Sequence, residues 1–154
     1  MEELDDIDRK ILDILQEDGK ITITALAEQL KITATPVHER IKKMEEAGVI
    51  RKYVALLDQK KVDKNLIVFI SISLKNHARS YLTKFTKTID CYDEITECYH
   101  IAGNFDFLLK AQLKDMEAYQ QFILSKLSVD ENIHQVQSSF VLSKNKYSTA
   151  LSIR

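Results

Sequence analysis

Several residue types are scarce in this sequence of 154 residues, which contains no tryptophan, one proline, two cysteines and three glycines. The two cysteines are too few for a disulfide framework, and this is typical of a protein from a reducing cytoplasm. No apolar run approaches the roughly 20 residues that a bilayer span needs. The acidic segment that begins the sequence is also unlike a signal peptide. We therefore expect a cytoplasmic protein that has no membrane partner.

Sequence motifs of enzymes and metal sites are absent as well. The sequence has no glycine-rich phosphate loop, no nucleophile elbow and no pair of carboxylates at a recognisable catalytic spacing. Cys91, Cys98 and His100 form a Cys-x6-Cys-x-His pattern that matches no standard zinc site and lacks a fourth ligand. Buried small side chains on a strand are the favoured interpretation of the two cysteines. We therefore predict no enzyme, no cofactor and no metal site.

The charged residues are distributed unevenly along a chain of ordinary globular composition, with 45% hydrophobic residues and a net charge of −1. Residues 1–18 carry two basic and eight acidic side chains, a net charge of −6. Residues 31–52 carry six basic and three acidic side chains, a net charge of +3. A basic segment in a near-neutral chain is compatible with a polyanionic partner such as nucleic acid, although a solvated surface has the same composition.

The first fifty residues have the pattern of three helices, of which the last two are joined by a tight turn. Apolar residues recur at helical spacing in the first two, at Ile7, Ile11, Ile14, Leu15, Ile23, Leu26, Ala27 and Leu30. The first helix is expected over about 6–17, and Thr24 is the expected N-cap of the second. This is a helix-turn-helix arrangement, although the break at 31–33 lacks the usual glycine.

The third helix has the features of a DNA recognition helix. It is expected over about 34–47, after an N-cap at Thr33 or Thr35. Helical periodicity places three apolar residues on its core side, namely Val37, Ile41 and Met44. The opposite side is polar, with Thr35, Glu39, Lys42, Lys43 and Glu46 at its centre and Pro36 and His38 at its edges. Such a helix fits a major groove, where its first turn reaches base edges and its lysines neutralise phosphates.

Other interpretations of this helix stay open. Arg40 borders the core side, and its first interpretation is an ion pair with Asp13 or Glu17 of the first helix; a phosphate contact is the second. Glu39 and Lys43 are spaced as a helix-stabilising pair, which competes with a role in base contact. The whole segment is also compatible with a solvated surface helix.

Beyond a polar linker at 58–65 the apolar period changes to that of alternating strands and helices. The expected elements are a strand or extended segment at 49–57, strands at 66–74, 92–101, 106–113 and 133–142, helices at 79–89 and 116–127, and a candidate further strand at 147–153. The order β-α-β-β-α-β predicts a ferredoxin-like sandwich. The fold class is therefore α+β, with a helix-turn-helix domain at 1–50, a strand and linker at 51–65 and a ferredoxin-like domain at 66–154.

The first strand of this sandwich also predicts self-association. A ferredoxin-like sheet has helices on one face only, and Ile67 and Phe69 lie on the other face, where water would surround them. Packing that face against a second sheet would bury both side chains. A two-fold dimer would also present two recognition helices to a palindromic site, at half-sites about 34 Å apart.

Two segments of the sequence resemble a known family. These are Thr35-Pro36-Val37-His38-Glu39-Arg40-Ile41 and, about sixty residues later, Gly103-Asn104-Phe105-Asp106-Phe107-Leu108-Leu109. Together with the Leu4–Leu12 and Lys42–Ile50 segments they resemble the Lrp/AsnC family, the leucine-responsive or "feast/famine" transcription regulators, over essentially the full chain. The resemblance implies a winged helix-turn-helix and a ferredoxin-like domain that binds amino acids. It also implies homodimers that often assemble into octamers, with the effector bound between dimers.

The resemblance further implies an effector-binding loop. Its expected residues, with one from the last strand, are Ile101, Gly103, Asn104, Phe105, Asp106 and Ser138. Backbone groups at Gly103 would meet a carboxylate, and Asp106 would take an α-ammonium. Alternatively, Gly103 is a turn glycine and Asp106 caps that turn. Val136 departs from the hydroxyl residue that is often found near this position in the family.

We therefore predict a sequence-specific DNA-binding transcription regulator whose oligomeric state or DNA affinity responds to a small effector, an amino acid. The expected DNA-binding residues are Thr24, Thr33, Thr35, Pro36, His38, Glu39, Arg40, Lys42 and Lys43. The alternatives are a DNA-wrapping architectural protein that needs no effector and a metabolite sensor that does not bind DNA.

Overall fold

A computed structural model of the protein describes residues 4–153. These residues form two compact units. The first comprises residues 4–56 together with the C-terminal segment 146–153, and the second comprises residues 57–145. The C-terminal segment, which the sequence analysis placed with the second domain, therefore lies with the first unit. Within the described residues, no helix is long and apolar enough to cross a membrane.

The first unit contains three helices, α1 (Asp6–Glu17), α2 (Ile23–Leu30) and α3 (Ala34–Glu46). Asp5 begins α1 in a capping box with Asp8, each side chain accepting a backbone N–H of the other residue. The predicted N-cap of α2 was wrong. Thr22 is the N-cap and accepts the Ala25 N–H at 3.2 Å, because its backbone is extended whereas Thr24 already lies inside the helix.

The helix-turn-helix turn explains why no glycine is needed there. Lys31 ends α2 with a φ of 56° and a ψ of 40°, so a lysine adopts the left-handed conformation that glycine usually supplies. Thr33 is the N-cap residue of α3, although its side chain makes no capping hydrogen bond, and Thr35 lies inside the helix. The core between the helices consists of Ile11, Leu12, Leu26, Ala27, Val37, Ile41 and Met44.

The segments that flank the second unit contain no strand among the described residues. Residues 51–58 and 141–153 run without regular hydrogen bonding, so the expected strand at 147–153 is absent. A strand needs a neighbour to pair with, and the C-terminal segment instead meets the side chain of Gln16 and places Ile153 against the helical core. Ile153 thus packs on the helices, whereas Tyr147 and Leu151 of the same segment stay exposed.

The second unit is a ferredoxin-like sandwich. Its strands are β1 (Leu66–Leu74), β2 (Ile95–His100), β3 (Phe107–Leu113) and β4 (Ile133–Phe140), in the antiparallel order β2-β3-β1-β4. The helices are α4 (Arg79–Ile89) and α5 (Met116–Phe122), and α5 continues into a π-helical turn over Ile123–Leu127. A short 3-10 turn, Gln59–Val62, precedes β1.

One face of this sheet forms the core of the second unit. The alternate residues of β1 and β3 point to that face and are buried, namely Val68, Ile70, Ile72, Leu74, Phe107, Leu109, Ala111 and Leu113. Phe85, Ile89, Phe122 and Leu127 of the helical segments cover them. The expectation that water would surround Ile67 on the opposite face was wrong, since Ile67 is 8% exposed. β1 is a central strand, so Gln112 and Val141 flank Ile67 on its two sides; Phe69 is half-buried.

Candidate nucleic-acid interface and ligand loop

Helix α3 is held by three buried side chains and presents its opposite side to solvent. Val37, Ile41 and Met44 are buried, which confirms the predicted core face of the helix. The exposed residues on its other side and at its start are Thr33, Thr35, His38, Glu39, Lys42 and Lys43, while Pro36 is half-buried. Thr24 is exposed on α2. The first unit therefore supports a polar, partly cationic helix face on an apolar base, as a helix in a major groove requires.

Arg40 makes an ion-pair network that fixes α3 to the start of α1. Its guanidinium Nη1 donates to Asp5 Oδ2 and to Asp8 Oδ1, each at 2.7 Å. An ion pair with α1 was predicted, but the predicted partners Asp13 and Glu17 were wrong. The same two carboxylates cap the N-terminus of α1, so Arg40 meets the first turn of that helix and not its last.

This network also shifts the pKa values of Asp5 and Arg40. The backbone N–H of Asp8 and then the Arg40 guanidinium hold the pKa of Asp5 below its usual value. The hydrogen bonds to Asp8 and Asp5 raise the pKa of Arg40, so the arginine stays charged. Lys42, by contrast, is exposed and lies 3.8 Å from Glu46, which is a weak surface pair.

Tyr53, which the sequence analysis did not single out, anchors the start of the linker on the helices. Its hydroxyl donates to Glu45 Oε1 at 3.0 Å. Its ring lies next to Gly19, where an added Cβ atom would be 3.6 Å from the ring. Burial, followed by the hydrogen bond to Glu45, raises the pKa of Tyr53 to about 12. The aromatic residue after two basic residues was the only signal in the sequence for this contact.

The predicted ligand loop lies between β2 and β3 and is closed by backbone hydrogen bonds. The Ile101 N–H donates to the Asp106 carbonyl at 2.8 Å, and the Asp106 N–H donates to the Ile72 carbonyl at 2.8 Å. Gly103 is exposed and has a φ of +143°, a conformation that other residues rarely adopt. Asn104 is exposed, and Phe105 is half-buried. A side chain at Gly103 would meet no atom within 4 Å, so backbone strain, and not crowding, favours glycine there.

The Asp106 carboxylate is held by two neighbours. Oδ2 accepts the Leu74 N–H at 2.7 Å, and Oδ1 lies 2.9 Å from Nε2 of His77. Burial works against the charged carboxylate, but the hydrogen bonds from Leu74 and His77 outweigh it and lower the pKa of Asp106. The charge of His100 acts in the same direction. This contact could not be predicted from the sequence, since nothing local connects His77 with a residue 29 positions away.

Ser138 does not join the ligand loop within the protomer. It lies on β4 opposite Ile70 of β1, and the Tyr119 hydroxyl donates to its Oγ at 2.7 Å. The Tyr119 ring also meets Phe140 edge-on, with centroids 5.0 Å apart. The structure therefore groups Ile101, Gly103, Asn104, Phe105 and Asp106 in one loop and places Ser138 under α5, where it satisfies a tyrosine hydroxyl.

The cysteines occupy two different environments. Cys98 is half-buried on β2, where burial and then Asp90 raise the pKa of its thiol. Cys91 is exposed and follows α4, so the interpretation of both residues as buried strand residues was wrong for Cys91. Within residues 4–153 no three histidine, cysteine or carboxylate side chains are grouped as a metal site.

Two family models match this chain. Residues 4–51 match the model described as winged helix-turn-helix DNA-binding, and residues 67–151 match the model described as Lrp/AsnC ligand binding domain. The first match spans α1 to α3, and the second spans the sandwich with the predicted ligand loop.

Curated proteins and solved structures are similar over nearly the full chain. The "DNA-binding transcriptional activator DecR" of Escherichia coli K12 is 34% identical over 150 residues, which are 97% of this chain and 99% of that protein. The "leucine-responsive regulatory protein" of the same strain is 34% identical over 152 residues, 99% of this chain and 93% of its own. The crystal structure of the transcriptional regulator NMB0573 with L-Met from Neisseria meningitidis has a TM-score of 0.93 and 35% identity, and covers 97% of both chains. An AsnC family regulator from Agrobacterium tumefaciens has a TM-score of 0.92 and 40% identity over 96% of both chains.

Proposed function

Because this chain belongs to the Lrp/AsnC family of DNA-binding transcription regulators, we propose that it binds operator DNA through α3 and changes its assembly when an amino acid occupies the ligand loop. The observation that carries the proposal is the presence, in one chain, of an exposed polar recognition helix and a preformed loop with a fixed carboxylate. We place its action in the cytoplasm, where operator DNA and free amino acids are both present.

The proposed DNA interface consists of the exposed residues at the start and along the outer side of α3. Thr33, Thr35, Pro36, His38 and Glu39 lie in the first two turns, from which side chains of a recognition helix reach base edges. Lys42 and Lys43 follow in the next turn and supply phosphate contacts. Thr24 at the start of α2 is a further candidate for phosphate contact. Arg40 acts through its ion pairs, by fixing the angle between α3 and α1.

The proposed effector is an α-amino acid. The exposed backbone around Gly103 offers N–H groups to a carboxylate, and Asp106 offers a carboxylate oxygen to an ammonium group. The relative from Neisseria meningitidis was crystallised with L-Met, which is an example of this ligand class. Ile101, Asn104 and Phe105 would surround the ligand side chain. Because the loop is exposed in the protomer, a neighbouring chain would complete the site, with Ser138 as a candidate contribution from that neighbour.

The proposed assembly is a homodimer that packs sheet against sheet and forms larger assemblies, such as octamers. The sheet face opposite the helices carries half-buried Phe69 and Leu108, together with Tyr99, which is 50% exposed. On the same face Lys110 donates to Glu97 at 2.6 Å, and Tyr99 donates to Glu97 at 2.7 Å, so its charges are paired. A face that combines apolar side chains with paired charges can be buried against a copy of itself at low electrostatic cost. An effector bound between dimers would then couple assembly to DNA binding.

DNA binding is tested with the double variant Lys42→Glu/Lys43→Glu in a titration of DNA from upstream of the protein's own gene. We expect the slope of log K against log salt to fall by about 1 for each lost phosphate contact. The control is Lys60→Glu/Lys61→Glu, which makes the same charge change on exposed residues of the 3-10 turn in the second unit. Equal losses in both double variants would point to a non-specific charge effect and contradict the proposed interface.

The effector is tested by calorimetric titration of the full-length protein with each of the twenty amino acids. The proposal requires at least one saturable heat and a shift in oligomeric state or DNA affinity at the same ligand concentration. Asp106→Asn should abolish or weaken that heat, because the amide offers no negative charge to an ammonium group. If DNA binds but no amino acid does, the protein is better described as an effector-independent DNA-wrapping protein; if amino acids bind but DNA does not, it is a metabolite sensor.

A further inference from the structure

The two carboxylate oxygens of Asp106 have different partners, of which one is a backbone group and the other a side chain. Oδ2 accepts the backbone N–H of Leu74 at 2.7 Å, at the end of β1. Oδ1 instead meets a side chain, Nε2 of His77, at 2.9 Å. Only the second contact can be broken without releasing a backbone hydrogen bond. A cation that approaches Asp106 therefore meets an oxygen that already has a partner.

The position of the carboxylate is fixed from three directions. The Asp106 N–H donates to the Ile72 carbonyl, and its carbonyl accepts the Ile101 N–H, both at 2.8 Å. With Oδ2 held by Leu74, turning the side chain away from His77 would break that hydrogen bond. The next residue, Phe107, is 1% exposed and anchors the start of β3 in the core. Movement of the histidine is therefore the least costly way to free Oδ1.

The backbone on both sides of His77 is fixed by hydrogen bonds, whereas its side chain is exposed. The preceding residue, Asn76, donates its N–H to Asn132 Oδ1 at 3.0 Å, and its carbonyl accepts the Asn132 Nδ2 at 3.2 Å. Asn76 Oδ1 also accepts the Ala78 N–H at 2.9 Å. The backbone is thus held on both sides of His77, whereas the imidazole is 59% exposed. Rotation about its side-chain bonds would free Asp106 Oδ1 without disturbing the loop.

We propose that His77 is a specificity-determining latch, which occupies on Asp106 the oxygen that the effector's α-ammonium must take. The inference rests on the proposed effector function of the ligand loop. His77 and the ligand compete for one acceptor, so binding includes the displacement of the imidazole from Oδ1. The Leu74 N–H, which also lowers the pKa of Asp106, continues to stabilise the carboxylate after His77 leaves.

The latch selects for ligands by charge. A neutral ligand gains too little at Oδ1 to replace a histidine that donates to a carboxylate, whereas an ammonium group makes a charge-assisted bond there. The histidine also lowers the apparent affinity, because only the open fraction of molecules is competent to bind. A latch that is closed in about nine-tenths of the molecules weakens apparent binding about tenfold.

The test is calorimetric titration of full-length variants with the twenty L-amino acids as probes. We expect His77→Ala to bind the amino acid that binds the wild type about threefold to tenfold more tightly, since Oδ1 is then free. His77→Arg should bind it more weakly by a similar factor of about three to ten, because a permanent cation holds Oδ1 more firmly. His134→Ala, which removes an imidazole from an exposed position of β4, is the matched control and should leave the affinity within about twofold of the wild type.

The opposite signs of the two His77 variants distinguish a latch from a structural role, which would weaken binding in both. Weaker binding by His77→Ala would make His77 a ligand of the effector and overturn the inference, as would unchanged binding by both variants. Neither result contradicts the proposed effector function, because the wild type still binds an amino acid in both cases. If neither the wild type nor His77→Ala gives a saturable heat with any of the twenty, the effector function itself is wrong and the latch falls with it.

Discussion

The side chain of Gln16 hydrogen-bonds both backbone groups of Leu151, 135 positions away in the sequence. Nε2 donates to the Leu151 carbonyl at 3.1 Å, and the Leu151 N–H donates to Oε1 at 2.6 Å. One amide side chain therefore does for Leu151 what a neighbouring strand would do. Ile153 lies two residues further on and packs against the core of the three helices. The C-terminal segment is thus fixed to α1 by a polar clamp and an apolar anchor.

Loss of the clamp should free the C-terminal segment. We expect Gln16→Ala to lower the free energy of opening of residues 147–153 by about 1 kcal/mol, since both bonds are partly exposed. Amide hydrogen exchange of that segment should then quicken about fivefold. The measurement is exchange followed by mass spectrometry, with Gln29→Ala on the exposed side of α2 as the control. Equal exchange in both variants would show that the clamp contributes nothing.

The ion pairs of Arg40 should give the protein a pH dependence in acid. The pKa of Asp5 is lowered in the folded state, so its stabilising effect is complete at neutral pH. That effect is lost as the pH falls below the ordinary value of about 4 and through the lowered native pKa. Arg40→Ala should destabilise the protein at neutral pH and make its free energy of unfolding fall less steeply in acid. Denaturant unfolding at several pH values measures both effects.

The matched control for this series is Arg51→Ala, which removes an exposed guanidinium after the third helix. Its stability should follow that of the wild type at each pH. If the free energy of unfolding of Arg40→Ala fell with pH as steeply as that of the wild type, the result would contradict a role of Arg40. The backbone hydrogen bond from Asp8 alone would then govern the protonation of Asp5.

Tyr53 should titrate above the range of an ordinary phenol. With a pKa of about 12, its hydroxyl stays protonated where an ordinary phenol, with a pKa of about 10, ionises. Burial and then the hydrogen bond to Glu45 favour the protonated hydroxyl in the native state, so this contribution to stability is complete below a pH of about 10 and is lost as the pH rises through about 12. The difference between the phenolate absorbance titrations of the wild type and Tyr53→Phe isolates this group. A difference curve with its midpoint near 10 would contradict the raised pKa of Tyr53.

Lys31 should be a site where glycine stabilises the protein. A left-handed conformation costs a residue other than glycine about 1–2 kcal/mol, and part of this gain is offset by the extra freedom of glycine in the unfolded chain. We expect Lys31→Gly to raise the free energy of unfolding by about 0.5–1 kcal/mol in denaturant titrations. Lys20→Gly, in the turn before α2 where φ is not positive, should give no gain and serves as the control. A loss of stability in Lys31→Gly would show that the lysine side chain outweighs its backbone strain.

Local patterns in the sequence were sufficient to predict most of the helices and strands. The apolar spacing gave the bounds of α1, β1 and α4 as the structure has them, because each of these elements buries one regular face. Strand β2 proved shorter than its pattern and begins at Ile95, since Tyr92 belongs to the turn that precedes it. The segment 147–153 alternates like a strand, and only the absence of a partner strand decides otherwise.

Some features of the candidate sites could be predicted from the sequence, and others could not. The exposed side of α3 could be predicted because a helix's faces follow from residue spacing. The ion-pair partners of Arg40 could not, because α1 carries acidic side chains at both ends and the choice depends on the crossing of the two helices. Ser138 was placed with the ligand loop by resemblance, whereas in the protomer its hydroxyl is taken by Tyr119.

The sequence by itself determined the core face of α3, the bounds of α1, β1 and α4, and which family the chain resembles, because each of these depends on neighbours within a few positions. Only the tertiary structure decided the pairs that join distant segments, namely His77 with Asp106, Gln16 with Leu151 and Tyr53 with Glu45. Such pairs depend on how strands and helices are placed in space, and hydrogen bonds act over about 3 Å irrespective of distance along the chain.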